Sequence, residues 1–532
     1  MLGTFRQSMT WLHTWCGLVF GWVLFAVFFA GTVAVFRLEV DYWMTPELHG
    51  KLEGAAPVAT AQGALERLAP GALRWTIDLP DERADVLRIR WQPAPRERLQ
   101  SRYIDAAGNE LPVRDTRGGT MIYRFHYGLL LGRTGMWMVG GLAMVMFVTL
   151  LTGIIIHAKI FKEFFTFRPG RAPPRAWLDA HTVSSVMSLP FTVMITYTGL
   201  VIWWFIWMPG GLDLAFGGDR AGLFREMAPP GFEAAKASGQ PASLADLSGI
   251  VAAAAQIGDG DLHVATITVF NPGDSAARVE LARVSDRAIW GGSDRLRFDG
   301  VTGSYLDRRG ETGQPAYVAF RAFRILHEIK FAAPWLRWLF FVMSAASCVV
   351  IATGAVLWGA KRRARHLREF AKDEPQMHSA LACFGVEALN AGVIAGMFTA
   401  TSAYFMANRI IPAAVSGRAD MEVNVFFLVW FACAAIALAT MLARRRAMTQ
   451  ADGAQHVLRS VWSFQWALAA VAAGALPLVD QISTGGLVDA LARRDPVLLS
   501  FHATNLGLAC GLMFAAWKAS GLPGRAMRLK RA

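Results

Sequence analysis

Four of the 11 histidines stand in register with glycines. His13 precedes Gly31 by 18 residues and His181 precedes Gly199 by 18, whereas His126 precedes Gly153 by 27 and His327 precedes Gly354 by 27. Thr152-Gly153, Thr198-Gly199 and Thr353-Gly354 repeat a Thr-Gly pair, with Ala30-Gly31 as a weaker copy, and a Trp lies two or four residues before His13 and His181. The spacing reads as a duplicated two-helix unit. Neutral imidazole is a strong nitrogen ligand for iron, and two facing helices offer a haem both axial ligands while an apolar bundle encloses the macrocycle. Four histidines in two opposed pairs would hold two such haems.

The elements that must position them are membrane spans. The 532 residues are 54% hydrophobic and only 17% charged, with 19 Trp, a composition too apolar for an ordinary soluble chain of this size. Apolar runs of roughly 20 residues, enough to cross a bilayer as helices, lie near 14–36, 136–157, 183–207, 335–359, 383–407, 423–443, 461–479 and 497–517. The first run continues through Phe28, Phe29 and Phe36 and reads as a retained anchor, not a cleaved signal. The short segments 1–11, 158–180, 361–382, 444–460 and 518–532 carry 21 basic residues against six acids and all fall on one side of the eight-span arrangement, predicted to be cytoplasmic along with both termini. The net charge of +13 is therefore an orientation signal and not a nucleic-acid footprint; anionic lipid is a secondary partner of those basic segments.

On this topology His13 and His181 start spans one and three at the cytoplasmic face, while His126 and His327 lie on the outer approach to spans two and four. An 18-residue helix covers about 27 Å, close to the bilayer core, but 27 residues would cover about 40 Å. A break between each outer histidine and its span is predicted, with Gly132, Gly135 and Pro334 available to make it. Arg124, Arg133, Arg321 and Arg324 flank the outer pair as candidate propionate partners, and Lys159, Lys162 and Arg175 stand on the inner side. His157, at the cytoplasmic end of span two, competes for an inner ligand position, so the inner pair is either His13 with His181 or a pairing that uses His157.

Two long segments, 37–133 and 208–334, lie outside and are close to neutral, with 14 basic against 13 acidic and 13 basic against 15 acidic residues. Each reads as a small α+β module. In the first, an amphipathic stretch at 59–68 precedes strands at 73–79, 86–92 and 101–105 and a turn at Ala107-Gly108-Asn109; in the second, a helix at 244–257 precedes strands at 264–270, 277–284 and 295–299 and a turn at 300–303. The division that follows is span one at 1–36, module one at 37–133, spans two and three at 134–207, module two at 208–334, span four at 335–365 and a four-span extension at 366–532.

Other residues carry weaker signals. Glu387 and Asn390 share one helical face of span five, where a carboxylate is either functional or a hydrogen-bonded packing group. His49, His263, His366, His378 and His456 read as solvated surface residues, His502 as interfacial, and Trp203, Trp204 and Trp207 as an interfacial belt. The five cysteines fall inside apolar runs, outside metal-ligand spacing of one another, which argues against structural disulfides, zinc sites and covalent haem attachment. Nothing resembles a nucleotide-binding motif.

The segments Trp11-Leu12-His13-Thr14-Trp15-Cys16-Gly17-Leu18, His126-Tyr127-Gly128, Gly153 to His157 running into Phe164-Phe165-Thr166-Phe167-Arg168-Pro169, Trp177-Leu178-Asp179-Ala180-His181 and Arg324-Ile325-Leu326-His327 resemble the PepSY-associated transmembrane family. The resemblance covers roughly residues 5–365, and the outer modules are similar to PepSY domains. It implies an inner-membrane ferric-siderophore reductase carrying two b-type haems and passing electrons outward to iron in the periplasm. The four further spans depart from the family's short form and would serve assembly, or a quinol or partner site around Glu387. The expectation is thus a polytopic α-helical membrane protein of about eight spans, with haem b, a ferric siderophore or other iron chelate as substrate, a cytoplasmic or quinol electron donor and no nucleic-acid partner. Two rival expectations are a haem-free scaffold or sensor, in which the modules bind a periplasmic protein, and a transporter of the iron complex itself.

Overall fold

Among the described residues, eight helices are long and apolar enough to cross a membrane. In a bilayer every backbone polar group must be satisfied within its own segment, which is why apolar runs of this length fold as helices. Their outward faces are apolar too: Leu428, Phe431 and Ile482 are more than 60% exposed, as side chains that meet lipid would be. The protein is a polytopic α-helical membrane protein with a small sheet. The computed structural model describes residues 4–52, 56–81, 83, 85–157, 173–219, 222–223, 236–258, 262–284, 293–310, 315–329, 333–370, 377–447 and 451–521. Lys159, Lys162 and the stretch 164–169 lie outside them.

The chain folds as two units, Met1–Met44 with Asp115–Leu200 and Trp338–Ala532, and Thr45–Arg114 with Val201–Arg337. In the helical unit, α1 (Phe5–Ala34) is followed by the short α2 (Arg37–Trp43). The second unit then contributes α3 (Pro57–Leu68), after which the chain returns as α4 (Gly118–Gly128), α5 (Gly132–Ile156) and α6 (Pro173–Ile202). α6 ends at Ile202, earlier than the apolar run, because the backbone turns at Trp203 and restarts as a one-turn helix, Trp204–Trp207. The second unit also holds α7 (Leu247–Ala255) and α8 (Pro315–Glu328). α9 (Pro334–Phe370) completes the repeated spans, and α10 (Met377–Ile410), α11 (Arg418–Ala443), α12 (Ala451–Thr484) and α13 (Pro496–Ser520) form the extension.

The predicted breaks are present. α4 stops where Leu129 and Leu130 take φ of 50° and 59°, and α8 stops where Ile329 takes φ 58°. Pro334 opens α9, where its missing N–H costs nothing. At Gly135 an added Cβ would stand 1.8 Å from Gly128 O, so only glycine lets the end of α4 press against α5.

The sequence marks two α+β modules, and in the structure their strands join in one sheet in the order β4-β3-β2-β1-β5-β6-β7-β8. Module one supplies β1 (Arg74–Asp78), β2 (Leu87–Gln92), β3 (Gln100–Ile104) and β4 (Glu110–Leu111); module two supplies β5 (His263–Phe270), β6 (Arg278–Val284), β7 (Ser293–Asp299) and β8 (Tyr305–Gly310). The join is antiparallel, with Ile77 opposite Ile267 and Trp75 opposite Val269. Pairing β1 with β5 removes an exposed edge from each meander. Alternating residues such as Trp75, Ile77, Ile89, Ile267, Leu281 and Phe298 build one core with Leu65 of α3 and Ile250 of α7.

Candidate cofactor-binding site

His13 lies on α1 and His181 on α6, and each imidazole rests on the neighbouring helix. His13 Nδ1 lies 3.0 Å from Thr149 O and 3.3 Å from Thr152 Oγ1; His181 Nδ1 lies 3.0 Å from Val350 O and 3.3 Å from Thr353 Oγ1. A carbonyl only accepts, so Nδ1 carries the proton in both rings and Nε2 keeps its lone pair. The threonine hydroxyls donate to their own helix, Thr152 to Val148 O at 2.9 Å and Thr353 to Val349 O at 2.7 Å, which leaves their oxygens as acceptors.

Glycine makes each seat. A Cβ at Gly153 would lie 3.2 Å from His13 Cε1, and one at Gly354 would lie 3.3 Å from His181 Cε1. The same construction holds His126: Nδ1–H donates to Val27 O at 2.8 Å, and a Cβ at Gly31 would come within 2.7 Å of its Cε1. The spacings of 18 and 27 therefore have a different origin from a contact between each histidine and the glycine that follows it. His13 on α1 meets Gly153 on α5, and His126 on α4 meets Gly31 on α1, so α1 and the α4–α5 pair exchange a histidine for a glycine in each direction.

The rings of His13 and His181 stand edge to face, with centres 6.4 Å apart and planes at 69°. A ligating imidazole nitrogen sits about 2 Å from its metal, which puts the ring centre about 3 Å away and two axial rings about 6 Å apart. The observed separation suits that arrangement. His157 caps the end of α5, with its backbone N–H on Gly153 O at 3.2 Å, and lies within electrostatic reach of both His13 and His181. Arg175 is tied to Asp179 at 3.2 Å.

Of the outer candidates, His126, Arg124 and Arg133 belong to the helical unit, and His327, Arg321 and Arg324 belong to the second unit. Arg124 and Arg133 are exposed, Arg321 is half-buried, and Arg324 pairs with Glu328 on α8 at 2.9 Å.

Glu387 and Asn390 do share a face of α10. Glu387 pairs with Arg363 and fills the place of a side chain at Gly359. Asn390 accepts from Trp22 Nε1 at 2.8 Å and donates to Ala355 O at 3.2 Å, binding α10 to α1 and α9. His502, expected at the interface, is instead 2% exposed with Nε2 3.2 Å from Asp480 Oδ2. Asp480 also receives Arg409 Nε at 2.5 Å, and that guanidinium donates to Trp43 O and lies 3.8 Å over the Trp43 ring. This network and its neighbours Arg418 and Glu422 form no motif in the sequence. Charged residues within or bordering apolar runs were the signal that marked them.

Residues 10–361 match the family described as the PepSY-associated TM region. The chain belongs to this family. An uncharacterized protein of Pseudomonas aeruginosa, PA4219, is 25% identical over 255 residues, which is 46% of this chain and 63% of that protein. The aligned stretch thus spans under two thirds of the relative's length. The family match ends before α10, so α10–α13 stand outside the matched region, and His13, His126, His157, His181 and His327 all stand inside it.

Proposed function

We propose that the protein is an inner-membrane oxidoreductase that holds two b-type haems and reduces ferric iron in the periplasm, as a ferric siderophore or similar chelate, with electrons drawn from a cytoplasmic or quinol donor. The observation that carries this is the neighbouring pair His13 and His181, 6.4 Å between ring centres with each Nδ1 held by a helix carbonyl. Histidines that bind metals characteristically give their second N–H to such a partner, which fixes the ring and raises its basicity. Haem b supplies a one-electron centre when bound between two imidazoles.

The residues of the chain do the rest. His13 and His181 are the ligands of the inner site, favoured over a pairing with His157 by their mutual spacing. His126 has the same seat and tautomer and is the ligand carried by the helical unit for the outer haem; His327 holds the corresponding place in the sequence repeat. Arg124, Arg133, Arg321 and Arg324 are the candidates for propionate contacts. Along α1 between His13 and Gly31, Leu24 and Val27 pack on Leu142 and Met146 of α5 as an apolar cluster. The basic segments orient both termini to the cytoplasm and both modules to the periplasm. Reduction would release the iron, because ferrous ion binds hard oxygen chelators far more weakly than ferric ion.

Optical spectra of the purified protein, oxidised and dithionite-reduced, test this. Soret and α bands of b-type haem at two per chain are expected, with one lost in His181→Ala and the other in His126→Ala. Protein made with ample haem that shows neither band refutes the proposal.

A further inference from the structure

α4 has only 11 residues, too few to be a stable helix without tertiary support, and it carries His126. Its N-terminal end is held by the extension. Thr116 Oγ1 donates to Glu422 Oε2 at 2.6 Å, Arg418 Nη1 donates to Asp115 O at 3.0 Å, and Tyr404 OH donates to Gly118 O at 2.8 Å. Asn408 Nδ2 joins Glu422 Oε1 at 3.0 Å and Thr116 Oγ1 at 3.3 Å, and Arg418 Nη1 also reaches Glu422 at 2.7 Å. The side chains of Arg418 and Glu422 are fully buried.

The other end of α4 is held by aromatic packing. Phe125, next to His126 in the chain, lies 5.9 Å from Phe426, 6.1 Å from Phe427 and 6.1 Å from Trp430, measured between ring centres. All three rings belong to α11. A buried ion pair is poor value as a source of stability alone, because desolvation offsets the attraction. When its hydrogen bonds are shared with a neighbouring backbone it fixes geometry instead. Here both ends of one short helix are fixed by α10 and α11, at sites about two turns apart.

We infer that α10 and α11 form the socket that seats α4 and so sets the position of His126, with Tyr404, Arg418 and Glu422 as positioning residues. This gives the extension a role within the helical unit, and it rests on the reading of His126 as a haem ligand. The ring is gripped between the Gly31 notch on one side and a helix clamped by the extension on the other. A shift of α4 would move the imidazole relative to both.

The test uses the full chain in lipid nanodiscs, with Tyr404→Phe and Glu422→Gln compared with wild type. Two measurements are made: amide hydrogen exchange of residues 118–128, and a potentiometric titration of the haems. Exchange in α4 is expected to become several-fold faster, and the haem that is lost in His126→Ala is expected to lose occupancy or shift in midpoint potential. The haem that is lost in His181→Ala should keep both. Tyr404→Phe removes a single oxygen, so it reports on the socket even where Glu422→Gln does not fold. Unchanged exchange and unchanged potentials in a wild-type background holding two haems overturn the socket alone. Faster exchange in a protein that binds no haem overturns the haem reading and leaves the socket standing.

Discussion

At three described positions a histidine donates to the carbonyl four residues before a glycine: Val27 and Gly31, Thr149 and Gly153, Val350 and Gly354. Residues four apart share one face of a helix, one turn above the other. The carbonyl orients the ring, and the missing side chain one turn on leaves the notch in which it lies. An alanine at Gly354 would put its Cβ 3.3 Å from His181 Cε1, close enough to tilt the ring but not to prevent folding. On the proposed haem function, Gly354→Ala should therefore weaken haem binding at the His13–His181 pair by about tenfold to a hundredfold, the usual effect of disturbing the support of a metal ligand. Haem titration of protein made under haem limitation measures this, and unchanged affinity would show that the notch is dispensable.

At the scale of elements, the break between α4 and α5 brings α4 against α2. Thr120 donates to Asp41 through its backbone N–H at 3.3 Å and its hydroxyl at 3.4 Å, and a side chain at Gly118 would collide with the same carboxyl. Burial pushes Asp41 up from 3.8 to about 6, against the opposing pull of the Thr120 hydrogen bonds and of Arg37. Because the folded value lies above the unfolded one, the native state keeps the proton longer. The contribution to stability is complete below pH 3.8 and is lost as pH rises through about 6. Asp41→Asn should thus be more stable than wild type at pH 7.5 by about 2 kcal/mol, with the gap closing toward pH 4. Thermal unfolding across that range checks it; a gap that widens in acid would reverse the sign.

At the scale of the molecule, the two modules share a sheet and a core. Thr76 sits at the centre of the join, opposite Arg90 on one side and Thr268 on the other. Thr76→Pro removes a ladder hydrogen bond in a central strand, where proline does not fit, and leaves a buried acceptor unpaired at a cost of about 1–3 kcal/mol. Limited proteolysis of membranes should then cut both modules, 45–114 and 236–310, faster than wild type. Cleavage confined to the first would mean that the modules are stable independently.

Much of this was legible in the sequence. An apolar run long enough to cross a bilayer, an alternating strand, a Pro or Gly that ends a helix and a bias of Lys and Arg toward one set of loops are local signals, and each is resolved within one or two turns of chain. They fixed the eight spans, the strands of both modules, the breaks before α5 and α9, and the histidines that lie within the family match. What they could not fix was pairing between elements far apart in the chain. The spacing from His13 to Gly31 is 18 whether Gly31 serves His13 or His126, and the tertiary structure decides for His126. Nor does alternation within β1 reveal that its partner is β5, or the apolar run around His502 that Asp480 will face it. The seats of the histidines, the joined sheet and the packing around α4 depend on which surfaces pack together, and that is settled by burial and hydrogen bonding summed over the whole fold.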